Sequence, residues 1–173
     1  MTRLTQFPIL MCVVAASLCG CGFRPMYGDY TAPSAQTSPS AHFSQMAIDI
    51  IPDREGQILR NHLMDRFYKN GTPSNPNATL HIEKLNEVRH ELDLTKSSEA
   101  TRAQLRINTK MKLTDAATGQ ILLERDLQTI TSFNILGSEF ATRVTEDSAR
   151  QSAINDIARQ VELNLSLFYN DQK

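Results

Sequence analysis

Residues 105–113 read Leu-Arg-Ile-Asn-Thr-Lys-Met-Lys-Leu, and this stretch decides the fold class. Its odd-numbered positions are apolar or threonine, whereas its even-numbered positions are basic or amide. Because successive side chains of a strand point to opposite faces, the alternation predicts a strand with one buried and one solvent-exposed face. Asp115–Gln120 then has the composition of a hairpin loop, and Gly119 is available for positive φ. The inward face is predicted to continue beyond the loop at Ile121, Leu123, Leu127, Thr129, Thr131 and Phe133.

The apolar residues of this hairpin also predict its register. Pairing Leu113 with Ile121 places Lys110 opposite Glu124 on the exposed face. An opposite-charge pair across two strands contributes only ~0.2 to 1 kcal/mol, but it supports this alignment. We therefore expect Leu113 to lie opposite Ile121.

A strand and a helix are predicted before the hairpin. Met46–Ile51 is a short apolar stretch that ends at a proline, which is typical of a strand. Asp53 is expected to cap a helix that runs to about Asn70. The apolar residues of this helix recur every four positions, at Leu59, Leu63 and Phe67.

The remaining elements complete an α+β fold. Leu80–Leu94 alternates around an irregular middle at Leu85, which predicts a bulge or a long twisted strand. A long helix is expected from Ser138 to about Tyr169. We predict two helices packed on one face of a mostly antiparallel four-stranded sheet, in the order β-α-β-β-β-α. The expected apolar stripe of the long helix comprises Phe140, Val144, Ile154, Ile157, Ala158, Val161, Leu165 and Phe168.

The N-terminus has the pattern of an export signal. Arg3 precedes 12 mostly apolar residues, Phe7–Leu18, a length typical of a signal peptide and too short to span a bilayer. The signal ends at Leu18-Cys19-Gly20-Cys21, which resembles the lipobox of bacterial lipoproteins. That resemblance implies cleavage before Cys21 and acylation of its thiol and freed amine, by palmitate-type chains. A plain signal peptide or a short hydrophobic anchor is the alternative.

The predicted domain organisation follows from this cleavage site. Residues 1–20 form the signal peptide, residues 21–45 the lipidated N-terminus with a flexible tether, and residues 46–173 a single α+β domain. The tether is rich in Thr, Ala, Pro and Ser from Asp29 to Ser44. Cleavage would remove Cys12 and Cys19, so no thiol would remain for a disulfide, a metal site or a nucleophile.

Composition and motifs exclude several function classes. The 173 residues are 40% apolar, which is typical of one globular domain and not of a membrane bundle. The formal net charge of -1 gives no global field that would draw the whole molecule to nucleic acid or an anionic bilayer, so binding must come from local patches. The four histidines lack metal-ligand spacing, and no nucleophile elbow or phosphate-binding glycine loop is present. We therefore expect no enzyme activity, metal, cofactor or nucleic-acid partner.

Two surface features are candidates for binding. Basic residues flank and follow the expected third strand, at Lys96, Arg102, Arg106, Lys110 and Lys112. Such a row suits phosphates and carboxylates, although a solvated face neutralised by Glu124 and Asp126 is the simpler interpretation. Leu163 and Leu167 lie one turn apart, roughly opposite the apolar stripe of the last helix. Two interpretations stay open for them: a contact with another protein, or ordinary exposed leucines.

The mature start resembles a known family. Cys21-Gly22-Phe23-Arg24-Pro25-Met26-Tyr27-Gly28 is similar to the start of the lipopolysaccharide-assembly lipoproteins of the LptE type, in their alphaproteobacterial form. The resemblance extends in element order over nearly the whole mature chain. It includes Gln57–Asn61 in the first helix, the Asp115–Gly119 hairpin and Ala149–Ala153 in the last helix.

The resemblance implies an outer-membrane lipoprotein anchored on the periplasmic side. Members of the family sit in the lumen of the β-barrel LptD, help it fold, plug it and assist delivery of lipopolysaccharide to the cell surface. The residue that follows the anchor is Gly22 and not Asp, which agrees with sorting to the outer membrane.

The same resemblance assigns expected roles to surface residues. Alignment places the family's basic lipopolysaccharide-binding residue at Lys96, and strand geometry adds Arg102 and Arg106 to that site. The barrel contact is expected on one of two surfaces, the open sheet face at Lys112 or the Leu163 and Leu167 side of the last helix. An adaptor or scaffold lipoprotein of another envelope complex is the alternative function, and a lipid carrier with an internal cavity is a further one.

Overall fold

The computed structural model describes residues 39–69, 71–94 and 100–172. Within these ranges the chain forms an α+β fold with a mixed sheet. The helices are α1 (Pro39–Phe43), α2 (Asp53–Phe67) and α3 (Glu139–Asp171). The strands are β1 (Met46–Ile48), β2 (Ala78–Ile82), β3 (Asn86–Leu94), β4 (Ala100–Asp115) and β5 (Ile121–Asn134).

The long strand β4 organises the sheet. β5 pairs antiparallel along one edge of β4, with partners from Arg102↔Asn134 to Thr114↔Ile121. The other edge of β4 is shared, because β2 pairs with its C-terminal half and β3 with its N-terminal half, both antiparallel. β1 lies outside β2 and runs parallel to it. Along this edge, β4 therefore has two different neighbouring strands.

The expected four antiparallel strands are corrected to five strands in a mixed sheet. The irregularity predicted at Leu85 divides the expected Leu80–Leu94 strand into β2 and β3, and Leu85 itself is buried. Glu83 holds the junction to β4, because its N–H donates to the Lys110 carbonyl and its carbonyl accepts from the Thr109 hydroxyl at 2.8 Å. The β1–β2 pair is parallel because α2 crosses between them and returns the chain in the same direction.

Both long helices cover one face of the sheet, as the sequence predicts. α2 contributes Leu59, Leu63 and Phe67 to the apolar core, and α3 contributes Ile154, Ile157, Ala158, Val161 and Leu165. The sheet supplies alternate residues from three strands. These are Ala78, Leu80 and Ile82; Ala103, Leu105, Ile107, Met111 and Leu113; and Leu123, Leu127 and Phe133. Burial of this apolar surface is the main source of the fold's stability.

The predicted hairpin register is wrong by two residues. Leu113 pairs with Leu123, so Lys112 lies opposite Glu124 and Lys110 opposite Asp126, while Ile121 is exposed beside Thr114. A register irregularity after Leu113 adds a residue to the turn. The loop is closed by the Asp115 carboxylate, which accepts from two backbone N–H groups and the Thr118 hydroxyl. The Thr118 bonds, with that from Ala117, lower the pKa of Asp115. Gly119 takes the expected positive φ, 69°.

The apolar stripe of α3 also departs from the prediction at its start. Phe140 is 78% exposed and Val144 is also exposed, whereas the buried residues of this part are Thr142 and Ala149. The buried side of the helix therefore changes along its length, which one fixed 100° stripe cannot describe. The predicted start is close, since the Ser138 hydroxyl accepts from the Ala141 N–H.

Smaller boundaries differ as well. β1 ends at Ile48, three residues before the predicted end, and α2 ends at Phe67. Pro52, not Asp53, occupies the N-cap position of α2 and offers no side-chain cap.

The folded part begins earlier than the predicted position 46. α1 lies within the range that the sequence assigned to the tether, and its Phe43 is buried in the core, stacked on Phe67 with ring centroids 4.7 Å apart. His42 stacks on Tyr169 at the end of α3, with centroids 4.3 Å apart. The signal peptide, Cys21 and residues up to 38 lie outside the described residues.

Candidate functional site

The face of the sheet opposite the helices is called the outer face here, and it carries the even-numbered side chains of β4. Strand pairing aligns these with residues of β3, β2 and β5 in rows across the sheet. From the N-terminal half of β4, the rows are His90–Gln104–Ser132, Val88–Arg106–Ile130 and Asn86–Asn108–Gln128. In the C-terminal half, Lys110 faces Asp126, and Lys112 lies between His81 and Glu124. The outer face therefore carries the described members of the predicted basic row, Arg102, Arg106, Lys110 and Lys112.

The C-terminal part of that basic row is neutralised by its neighbours. The Lys110 ammonium lies 3.2 Å from a Glu124 carboxylate oxygen and 3.7 Å from Asp126. The hydrogen bond to Glu124 and the charge of Asp126 raise the pKa of Lys110. Lys112 lies 3.5 Å from Glu83 and 3.7 Å from Glu124. Here the simpler interpretation of a solvated, mutually neutralised face fits the contacts.

The N-terminal part of the row is different at Arg106, because its neighbours on both adjacent strands are apolar. No ion pair of Arg106 is found among the described side chains, whereas Arg102 lies directly opposite Asp93 of β3. Arg106 lies between two apolar side chains, Val88 and Ile130, which are 37% and 46% exposed. Its Nε is buried and has no hydrogen-bond partner among the described side chains and backbone. Lys96, the third predicted member, lies outside the described residues.

An unpartnered guanidinium N–H between apolar side chains is unfavourable in the isolated protein. Leaving a buried donor without a partner costs about 1–3 kcal/mol. An anionic group with an apolar portion would satisfy Arg106 and cover Val88 and Ile130 together, because charged hydrogen bonds strengthen as water is excluded. The chemistry of this region therefore fits an anionic amphiphile better than a small hydrophilic anion.

The opposite side of β3 holds a charge network that the sequence analysis missed. Arg150 of α3 donates two hydrogen bonds of 2.8 Å to the Glu87 carboxylate and a third, of 2.9 Å, to Glu146. Arg89 lies 3.2 Å from both Glu146 and Glu91. The paired carboxylates, Glu87 above all, raise the pKa of Arg150, so it stays charged. The network ties β3 to α3 directly behind the Arg106 row.

A signal for this network was present in the sequence. Glu87, Arg89 and Glu91 alternate with opposite sign through β3, and strand parity places all three on the helix side of the sheet, opposite Ile107, Leu105 and Ala103. A strand whose inner positions are charged requires charged partners on the covering helix. The residues Glu146 and Arg150, one helical turn apart, supply them.

Two further surfaces adjoin these elements. A surface cleft of about 650 Å³ lies beside the charge network and is lined by residues including Arg89, Leu136, Thr142, Arg143 and Arg150. On α3, Leu163 and Leu167 are 50% and 53% exposed. Lys112, the third predicted contact residue, is on the outer face of the sheet and occupied by the ion pairs described above. Lys112 and the Leu163/Leu167 pair therefore lie on two different surfaces, and the choice of one of them as the barrel contact stays a prediction.

The described ranges contain neither a metal-binding cluster nor a helix that could span a membrane. No group of three or more His, Cys, Asp or Glu side chains there is arranged to hold a metal ion. No helix among the same residues is long and apolar enough to cross a membrane.

Comparison with known families identifies the chain. The sequence model of LptE, described as lipopolysaccharide-assembly, matches residues 43–163, which is most of the chain and nearly all of the described fold. The chain belongs to the LptE family. The family resemblance stated from the sequence is thereby confirmed, whereas the start at Cys21 lies outside the matched residues. A search of curated protein sequences gave no match.

Solved structures share the LptE-type fold at low sequence identity. A protein from Caulobacter crescentus CB15 described as a lipoprotein has a TM-score of 0.65 and 20% identity, over 79% of this chain and 98% of its own. The rare lipoprotein B from Shewanella oneidensis has a TM-score of 0.57 and 12% identity, over 75% and 99%. A minor lipoprotein from Acinetobacter baumannii has a TM-score of 0.55 and 17% identity, over 72% and 92%. At these identities the likeness concerns the fold.

Proposed function

We propose that this LptE-family protein is an outer-membrane lipoprotein that partners and plugs an LptD-type β-barrel and supports delivery of lipopolysaccharide to the cell surface. It is not expected to be an enzyme. The observation that carries the proposal is Arg106, a cation with a buried, unpartnered Nε between two apolar side chains on an otherwise open sheet face of a family member. Lipopolysaccharide combines phosphates with acyl chains, which is the chemistry that this region lacks in the isolated protein.

The proposed attachment is through Cys21. Acyl chains on its thiol and amine would hold the protein to the periplasmic side of the outer membrane, since each buried methylene contributes about 0.8 kcal/mol and two or more chains give stable anchoring. The signal peptide, residues 1–20, is removed in this scheme. The proposal rests on the lipobox-like sequence Leu18–Cys21.

The proposed lipopolysaccharide contact comprises Lys96, Arg102 and Arg106. Arg102 and Arg106 are four positions apart on β4, so their side chains leave the same face about 13.6 Å from each other along the strand. A phosphorylated lipid surface would supply oxyanions to both. Lys96 is included because family alignment places a basic residue there.

The test is lipopolysaccharide binding by a Lys96→Ala/Arg102→Ala/Arg106→Ala variant. The variant loses three charged hydrogen bonds, each of which contributes about 1.5–3 kcal/mol. Binding should therefore weaken by a hundredfold or more. The matched control is Lys110→Ala/Lys112→Ala, which removes two cations from the neutralised half of the same strand and is expected to change binding less than threefold. Unchanged binding by a folded triple variant would refute the proposed contact.

The proposed barrel contact is on Leu163 and Leu167, with Lys112 as a second position. Half-exposed leucines one turn apart offer an apolar strip to a barrel wall. Photocrosslinkers introduced at Leu167 and at Lys112 test the two surfaces separately. Capture of a large β-barrel from at least one position is expected, and failure at both would remove these surfaces from the proposal.

Partner identity is tested with the full-length, tagged protein extracted from envelopes in detergent. Stoichiometric co-purification of a large β-barrel supports the LptD partnership, and Cys21→Ala serves as the non-lipidated control. Recovery of other periplasmic or inner-membrane components alone would favour the alternative function, an adaptor of another envelope complex.

A further inference from the structure

We infer that three amide side chains, Asn86, Asn108 and Gln128, form a saccharide subsite for a phosphorylated glycolipid whose phosphate is held at Arg106. This inference rests on the proposed lipopolysaccharide contact and deepens it. The three residues are called the amide row below.

Strand pairing places the amide row across three adjacent strands. Asn108 of β4 lies opposite Asn86 of β3 on one side and opposite Gln128 of β5 on the other. Neighbouring strands are about 4.8 Å apart, so the three amides span roughly 10 Å of flat surface. The Arg106 row is the next row along β4, about 6.8 Å away.

These amides have hydrogen-bonding capacity that the protein does not use. Within the described residues, the side chains of Asn86, Asn108 and Gln128 have no hydrogen-bond partner. Two amides of the last helix, in contrast, are paired within the protein: Asn155 accepts from Arg66 at 2.8 Å, and Asn164 donates to the Gln160 carbonyl at 2.7 Å. The amide row is therefore a set of uncharged donors and acceptors that face away from the core.

The chemistry of sugars matches this set. Each amide offers one acceptor oxygen and two donor hydrogens, and each sugar hydroxyl is both donor and acceptor. Uncharged groups also avoid the desolvation cost that a charged row would impose on a polyhydroxyl ligand. The boundaries agree, because the row beyond the amides is the ion-paired Lys110–Asp126 row, and the row on the other side carries Arg106 with Val88 and Ile130.

The arrangement gives the ligand a direction. The phosphate lies at Arg106, the adjoining sugars extend over the amide row toward Lys110, and the acyl part covers Val88 and the exposed Leu92 of β3. A free saccharide would use the amides alone, whereas a glycolipid uses three consecutive kinds of surface. We therefore assign the site to the lipid-linked form.

The experiment compares two purified ligands on the full-length protein in detergent: lipopolysaccharide that carries its core oligosaccharide, and phosphorylated lipid A without the core. Asn86→Ala/Asn108→Ala/Gln128→Ala is expected to weaken binding of the core-containing ligand about tenfold, because several neutral hydrogen bonds of modest net strength are lost. Binding of lipid A should change less than threefold. Asn61→Ala/Gln151→Ala, which removes two exposed amides from the helices, is the matched control and should change neither.

The outcomes separate this inference from the proposed function. Equal weakening for both ligands, or no weakening for either, overturns the saccharide subsite even if Arg102→Ala/Arg106→Ala abolishes binding. Loss of neither ligand in Arg102→Ala/Arg106→Ala refutes the proposed contact itself. Competition by free core oligosaccharide as strong as by intact lipopolysaccharide contradicts the lipid-linked assignment. The single variant Asn108→Ala provides the same comparison should the triple variant fail to fold.

Discussion

The two halves of β4 have opposite constructions. Beside the C-terminal half, β2 turns Ala78, Leu80 and Ile82 into the apolar core, and the outer face is covered by the ion pairs of Lys110 and Lys112. Beside the N-terminal half, β3 turns charged residues inward, to the network around Arg150. The outer face of that half has Arg106, with no ion pair among the described residues, between the exposed Val88 and Ile130.

This difference shows how one strand can serve both stability and binding. The β2 half is built as an ordinary sheet, with apolar residues inside and paired charges outside. In the β3 half the paired charges lie on the inner face. The side chains of the outer face therefore do not have to pair with one another. β3 is consequently held by charged hydrogen bonds to α3, and its outer face is available for a ligand.

The largest difference is expected from truncating one apolar residue in each half. Leu80→Ala should lower the free energy of unfolding by about 3 kcal/mol, because Leu80 is fully buried and its loss leaves a cavity. Val88→Ala should lower it by less than about 1 kcal/mol, because Val88 lies on the outer face. Urea unfolding measures both. Equal losses would show that β3 contributes apolar core after all.

A smaller difference is expected from the charges on α3. Arg150→Met should lower the free energy of unfolding by about 2 kcal/mol, because it leaves Glu87 without its donor in a half-buried site and leaves Glu146 with Arg89 alone. Arg143→Met removes an exposed arginine that pairs only with the exposed Glu139, so a change below about 0.5 kcal/mol is expected.

Salt sharpens the same comparison. Unfolding in about 1 M salt, where the screening length is about 3 Å, should reduce the cost of Arg150→Met but leave the cost of Leu80→Ala unchanged. If Arg150→Met and Arg143→Met lower the free energy of unfolding equally at low salt, the network does not hold β3.

The sequence was sufficient to predict the parts of the fold that repeat a simple period. The strict alternation from Leu105 to Leu113 predicts β4 and its buried face, and Asp115–Gln120 predicts the turn, because these patterns depend on local geometry. The spacing of Leu59, Leu63 and Phe67 predicts α2 for the same reason. The basic row on the outer face follows from the same alternation.

The remainder depended on tertiary contacts that no local pattern encodes. The hairpin register shifted by two residues because an irregularity follows Leu113. Val88 and Leu92 are apolar yet exposed, because the inner positions of β3 are taken by charged residues whose partners lie some 60 residues later on α3. Division of the basic row into a neutralised and a free part required the positions of Glu83, Glu124 and Asp126 in space.

The smallest expected effect concerns two cations of β4, whose removal should change the free energy of unfolding in opposite directions. Arg106→Met should raise the free energy of unfolding by about 1 kcal/mol, because it removes a buried donor without a described partner and lets an apolar side chain pack between Val88 and Ile130. Lys110→Met should lower it slightly, because it removes the ammonium that lies 3.2 Å from Glu124 and 3.7 Å from Asp126. Thermal unfolding at low salt compares the two variants. A stabilised Arg106→Met that also binds lipopolysaccharide less tightly would mean that Arg106 is retained for its ligand at the expense of the fold. Destabilisation in both variants would instead make Arg106 a structural residue and remove the main physical reason for placing an anionic lipid there.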